Sequence, residues 1–95
     1  MIVRVASDGA VSLHEASDCK RLQVESVDAA RAGSALEAAG AGRPLDAEHV
    51  LLDVDWLAHN SAGIADPDAF GAMVAYAVSK GWSTIDGKAV RAHLA

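Results

Sequence analysis

The sequence predicts an α+β fold in which a small antiparallel sheet, made of an N-terminal meander and a C-terminal hairpin, packs against two or three helices. Three observations predict it. An Asp-Gly dipeptide separates two β-prone runs near the start of the chain, a second Asp-Gly lies near its end, and between them the uncharged segment 69–79 is bracketed by a helix start and a helix stop. Because 95 residues make one domain, we expect residues 1–95 to fold as a single compact unit.

The N-terminal strands are indicated by residue alternation and by turn chemistry. Asp8–Gly9 separates the β-prone runs at residues 2–5 and 11–13, and Asp-Gly between two such runs is a strong hairpin signal. A third candidate strand covers Arg21–Glu25, where apolar and polar residues alternate. The start of the chain therefore predicts an antiparallel meander of three strands.

A first helix is predicted from Ser26, as its N-cap, to Ala39, with Gly40 as its stop. Asp28 lies in the first turn, where the helix dipole favours an acidic residue. The apolar face of this helix is mostly alanine, which favours helix formation but gains little from burial. We therefore expect it to pack closely on its neighbour through small side chains.

Residues 46–62 fit two interpretations. Asp46 can cap one long helix, because the apolar residues that follow it recur with the helical period. Alternatively, His49–Asp53 forms a strand and Asp53 caps a shorter helix. The strand interpretation accounts for Leu52, which the long helix leaves exposed, and the sequence alone does not decide between the two.

The uncharged segment predicts a helix with clear ends. Asp66 is a natural N-cap, Pro67 fits the first helical position, and Gly81 can take the left-handed conformation that ends a helix. One stripe, expected to face the core, comprises Phe70, Met73, Val74, Ala77 and Val78. The opposite face comprises Gly71, Ala72, Ala75 and Ser79. Since neither face is marked for solvent, we expect this helix to be central to the core or covered by a second chain.

The C-terminal residues predict a second hairpin. Trp82–Ile85 and Lys88–Leu94 are β-prone, and the turn residues Asp86–Gly87 lie between them. The residues expected to face inward are Val90, Ala92 and Leu94, while Arg91 and His93 face outward.

Composition excludes several classes of function. A net charge of −5 and a pI of about 5.1 argue against nonspecific nucleic-acid binding, and the only adjacent basic pair is Lys20–Arg21. No run is long and apolar enough to span a membrane, and the N-terminus does not resemble a signal peptide. The single cysteine, Cys19, excludes an internal disulfide and a cysteine-based zinc site. These features predict a cytoplasmic protein, and the alanine-rich, lysine-poor composition is typical of a bacterium with a GC-rich genome.

Two polar clusters are candidates for chemistry. Asp53, Asp55 and His59 have side chains that divalent metals prefer, and the last two share a helix face if a helix begins at Asp55. Each is equally explained as a helix cap or a surface residue. His14 and Cys19 lie near each other in sequence, but no motif of a thiol nucleophile surrounds them. We therefore predict no catalytic residue, no metal site and no cofactor.

The segment from Pro44 to Ser79 contains no lysine or arginine. Its carboxylates are Asp46, Glu48, Asp53, Asp55, Asp66 and Asp68. If they gather on one side of the molecule, they form a negative surface suited to a basic protein partner. These carboxylates can also be explained without a partner, because some of them cap helices or lie in first turns and the rest keep the protein soluble.

The sequence thus predicts a small, cytoplasmic, non-enzymatic protein-interaction module that forms a homodimer. The residues expected at the contact are Ala72, Ala75, Tyr76 and Trp82. The alternative is a small enzyme or a ligand- or metal-binding protein with a site around Asp53, Asp55 and His59. Neither nucleic acid nor a membrane is expected as a partner.

Overall fold

The computed structural model describes residues 1–94 and shows an α+β fold built on one curled sheet. The strands are β1 (Ile2–Val5), β2 (Val11–His14), β3 (Gln23–Ser26), β4 (Gly42–Pro44), β5 (His49–Asp53) and β6 (Ala89–Leu94). The helices are α1 (Ala29–Ala39), α2 (Val54–Ser61) and α3 (Pro67–Ser79). Within residues 1–94, no helix is long and apolar enough to cross a membrane.

The sheet is larger than predicted, and it is mixed rather than antiparallel. The strand order is β2-β1-β3-β6-β5-β4, with β3 parallel to both β1 and β6. The predicted hairpin of β1 and β2 is present and antiparallel. The predicted meander is wrong, because the third strand pairs with β1 on the side opposite to β2. Ile2, at the start of β1, pairs with His14 at the end of β2 on one side and with Gln23 at the start of β3 on the other. Residues 15–22 therefore carry the chain across the end of β1.

The predicted C-terminal hairpin forms only in part. Gly87 has a φ of 70° in the expected turn, and Ser83 makes an antiparallel bridge with Val90. However, β6 takes its main partners from distant parts of the chain, antiparallel β5 and parallel β3. The predicted alternation along β6 holds for Val90 and Ala92, which are buried, and for His93, which is exposed. Arg91, expected outside, and Leu94, expected inside, are both half-buried.

Residues 46–62 follow the second interpretation, a strand and then a short helix. The Oδ1 atom of Asp53 accepts a hydrogen bond from the Trp56 backbone N–H at 2.8 Å and so caps α2. As a strand between β4 and β6, this segment buries both Val50 and Leu52. A single long helix would have left Leu52 in water, and the cost of that exposure decides between the two structures.

Helix α1 begins later than predicted. Its N-cap is Asp28, whose side chain accepts from the Ala30 N–H at 3.0 Å, and Gly40 ends it with a φ of 70°. Ser26 cannot serve as the cap, because it is the last residue of β3 and pairs there with Val5. Its hydroxyl oxygen instead accepts from the Asp28 N–H at 3.2 Å, which holds the turn into the helix.

The core lies on one face of the sheet. Strand residues with the same orientation form it, namely Val3, Val5, Val24, Val50, Leu52, Val90 and Ala92. Helix α1 adds Leu36 to this cluster and helix α2 adds Leu57, both with no exposed surface. These two helices therefore cover the sheet face on which the large apolar side chains point, and α3 lies beside β6.

Helix α3 has the predicted ends but not the predicted burial. Asp66 caps it and Pro67 begins it. Only Ala77 is buried, whereas Val78, which we expected in the core, is 50% exposed. The helix therefore lies at the margin of the core, to which it contributes Ala77, while Phe70 and Val74 are only partly buried against it.

Candidate functional site on helix α3

Helix α3 presents an outward surface that the described chain does not cover. We define the α3 face as the exposed residues Gly71, Ala72, Ala75, Val78 and Ser79. A Cβ atom built on Gly71 would meet no atom within 4 Å, so the space beyond this face is open. Tyr76 borders it and is 57% exposed. A helix surface with no charge and few polar groups is unusual when it faces water.

The charges of α3 are confined to its two ends. Asp66 and Asp68 lie at the N-terminus, where the Oδ2 atom of Asp66 accepts from the Ala69 N–H at 3.3 Å. Lys80 follows the last helical residue. This distribution matches the helix dipole and leaves the helix negative at one end and positive at the other.

A cleft of about 490 Å³ lies beside this face. Its walls are one side of α3, the loop before β3, and the Trp82 and Arg91 side chains. The lining residues are Cys19, Lys20, Arg21, Leu22, Ala69, Ala72, Met73, Tyr76, Ala77, Trp82 and Arg91. We call this the α3 cleft; most of its lining is apolar, as in small-molecule sites.

Two aromatic and two cationic side chains form a row of contacts at one side of the α3 cleft. The rings of Tyr76 and Trp82 meet edge to face with centroids 5.8 Å apart. The Arg91 guanidinium carbon lies 5.3 Å from the Trp82 ring centroid, and the Lys80 Nζ lies 5.5 Å from that of Tyr76. Both cations are within the range of cation–π attraction, so these contacts fix the positions of the two rings.

The α3 cleft is basic in an acidic chain. Lys20, Arg21 and Arg91 line it and no carboxylate does, although acidic residues outnumber lysine and arginine in the sequence by 13 to 8. Arg21 is partly neutralised by Glu15 at 3.6 Å and Asp18 at 3.7 Å. Within residues 1–94, Lys20 and Arg91 form no ion pair. The local potential of the cleft therefore favours a negatively charged group.

Three of the predicted contact residues, Ala72, Tyr76 and Trp82, lie together at the α3 cleft, and Ala75 lies on the adjoining α3 face. The residues on the opposite wall of the cleft were not predicted from the sequence. The Lys20–Arg21 pair was visible as a basic dipeptide, but only the sheet topology brings the loop that contains it against α3.

The alternative site at the start of α2 is not a metal-binding cluster in the part of the chain that the structure describes. Asp53 serves as the helix cap, Asp55 is exposed in the first turn, and His59 is exposed in the last turn. Among residues 1–94, no three histidine, cysteine, aspartate or glutamate side chains are grouped so that they could hold a metal ion. His14 and Cys19 line different cavities, and the His14 Nε2 lies 2.9 Å from the Ser12 hydroxyl oxygen.

The acidic residues between Pro44 and Ser79 have local structural roles. The Asp46 carboxylate accepts from the Glu48 N–H at 2.8 Å, and Asp53 and Asp66 accept from backbone N–H groups at their helix starts. The Glu48 N–H and the His49 ring hold the pKa of Asp46 below its usual value. These hydrogen bonds account for three of the six carboxylates without any partner.

Comparison of the chain with protein-family models, with curated proteins and with solved structures finds no match.

Proposed function

We propose that this chain is a non-enzymatic protein-interaction module that forms a homodimer through the α3 face. The contact comprises Ala72 and Ala75, with Tyr76 and Trp82 at its edge. The observation that carries this proposal is that α3 is uncharged from Ala69 to Ser79 and yet buries only Ala77 in its own chain. Small side chains on such a surface allow a second backbone to approach closely, and aromatic residues at its edge are typical of interfaces.

The charges at the ends of α3 favour a second copy of the chain as the partner. In a two-fold symmetric pair with α3 antiparallel to its copy, Asp68 at the N-terminus of one helix lies near Lys80 at the C-terminus of the other. The two helix dipoles also oppose each other favourably in this arrangement. Such an interface is self-complementary, as two-fold symmetry requires.

The size of the molecule is compatible with such a contact. A stable interface buries about 800 Å² on each partner, which is a modest part of the 5457 Å² surface of the chain. The α3 face and the exposed Tyr76 beside it supply apolar area for this contact. A cytoplasmic location is also part of the proposal, because the free thiol of Cys19 is preserved in a reducing compartment.

The substitution Ala75→Glu tests this proposal, because it adds a charge at the centre of the α3 face. We expect the variant to be a folded monomer by light scattering and circular dichroism. Ala30→Glu is the matched control, since Ala30 is exposed on α1 and away from α3. The proposal is wrong if the Ala75→Glu variant retains the mass of the unsubstituted dimer, or if the unsubstituted chain is itself monomeric.

A further inference from the structure

The α3 cleft has an apolar body and a cationic rim. Leu22, Met73 and Tyr76 provide apolar lining, together with the small side chains of Ala69 and Ala77. Its volume of about 490 Å³ is in the range of small-molecule sites. A ligand that fits both parts must therefore carry an apolar chain or ring together with a negative group.

Arg91 is arranged to receive that negative group. It is half-buried, its guanidinium carbon lies 5.3 Å from the Trp82 ring centroid, and within residues 1–94 it makes no side-chain hydrogen bond or ion pair. The ring attracts the charge of the guanidinium, and the N–H donors of the side chain have no acceptor among residues 1–94. A guanidinium held in this way offers a pair of parallel donors that match the two oxygens of a carboxylate.

Lys20 supplies a second cation at the same cleft. Its ammonium group forms no ion pair within the described part of the chain. The ammonium group lies at the end of a flexible side chain, so it can approach a carboxylate that Arg91 has bound and oriented. Arg21, which already contacts Glu15 and Asp18, contributes less.

We infer that the α3 cleft binds a small amphipathic carboxylate, whose carboxylate group contacts Arg91 and Lys20 and whose apolar part packs against Trp82, Met73 and Leu22. A cationic ligand is disfavoured because no carboxylate lines the cleft. Ala72, Tyr76 and Trp82 line the cleft and also belong to the proposed dimer contact. Ala75 does not line the cleft, so a substitution at Ala75 separates the two proposals.

An NMR titration with three probes of equal chain length tests the inference: octanoate, octan-1-ol and octylammonium. We expect octanoate to cause saturable shifts confined to the cleft residues, including the Trp82 indole N–H. Octan-1-ol should bind about tenfold more weakly, because it cannot form the charge-assisted pair of hydrogen bonds. Octylammonium should bind more weakly still.

Variants of the whole chain separate the carboxylate contact from general apolar binding. Arg91→Gln should lower octanoate affinity about tenfold and leave octan-1-ol affinity unchanged, while Arg91→Lys should give an intermediate affinity. Lys88→Gln is the matched control, since Lys88 is exposed and does not line the cleft. Ala75→Glu should retain octanoate binding, because Ala75 does not line the cleft, so failure of the dimer proposal is distinguished from failure of this one.

The inference is overturned by any of three results: equal affinities for octanoate and octan-1-ol, undiminished octanoate binding by Arg91→Gln, or shifts spread over exposed apolar residues without saturation.

Discussion

Two glycines in the middle of helices have opposite surroundings. A Cβ atom on Gly33 in α1 would lie 2.9 Å from the Cβ of Pro44, whose ring cannot move aside easily. A Cβ on Gly71 in α3 would meet nothing within 4 Å. Gly33 therefore allows α1 to pack closely on β4, whereas within its own chain Gly71 only weakens its helix.

We expect Gly33→Ala to destabilise the fold by about 1 kcal/mol, because overpacking against Pro44 outweighs the better helix propensity of alanine. Gly71→Ala is the matched control and should stabilise the fold by about 0.5–1 kcal/mol. Urea denaturation in dilute solution, where self-association contributes least, measures both. A stabilised Gly33→Ala variant would show that α1 and β4 are farther apart than described here.

Two turn aspartates make the fold sensitive to acid. The Glu48 N–H and the His49 ring lower the pKa of Asp46, and the Thr84 hydroxyl and the Lys88 N–H lower that of Asp86. A carboxylate with a lowered pKa in the folded state contributes stability that is complete above its unfolded pKa of about 3.9 and is lost as the pH falls through the folded value.

We therefore expect Asp46→Asn combined with Asp86→Asn to reduce the loss of stability between neutral pH and pH values below about 4. The asparagine oxygen can still accept from the backbone N–H groups, so both turns persist at neutral pH. Urea midpoints measured across this pH range give the result. Glu37→Gln, a change to an exposed carboxylate on α1, is the control, and equal pH dependence of all these proteins would contradict the assignment.

At the scale of elements, the two ends of α3 were predictable because they depend on local chemistry. Asp66 acts through its own side chain, Pro67 and Gly81 act through their own backbone, and the structure places all three as expected. The cap by Asp53 was only one of two alternatives, because the choice depends on whether His49–Asp53 finds neighbouring strands to pair with. The burial of α3 was not predictable in this way, because it depends on which helices already cover the sheet.

The ends of α3 give a direct test of these local effects. We expect Asp66→Ala to lower the stability of the fold by about 1 kcal/mol, the usual cost of losing a cap, and Asp66→Ser to restore most of it. Gly81→Val should cost more, because Gly81 has a φ of 73°, which a β-branched residue resists. Thermal melts of the three variants measure this, and unchanged melting temperatures would mean that these residues do not determine the helix ends.

For the molecule as a whole, the pairing of the strands could not be predicted from the sequence. The Asp8–Gly9 hairpin is local and was predicted, but the parallel pairing of β3 with β1 requires residues 15–22 to cross the end of the sheet. No periodicity signals such a crossing. Pairing of β6 with β5 joins segments far apart in sequence and was missed for the same reason.

The candidate site likewise combines residues that the sequence could indicate with residues that only the fold brings together. Ala72, Tyr76 and Trp82, predicted as a dimer contact, lie together because a single helix and the residues after it carry them. The basic wall of the α3 cleft was missed, since Lys20 and Arg91 approach α3 only through the crossing loop and the central position of β6. A sequence can thus indicate an unpartnered helix face, but the fold decides which groups stand opposite it.

Sedimentation equilibrium of the unsubstituted chain shows whether the protein associates with itself through α3. We predict that the measured mass reaches twice the 9.8 kDa of one chain as the concentration is raised. A mass of 9.8 kDa at every workable concentration would contradict the claim and would mean that the uncharged α3 face is simply exposed to water.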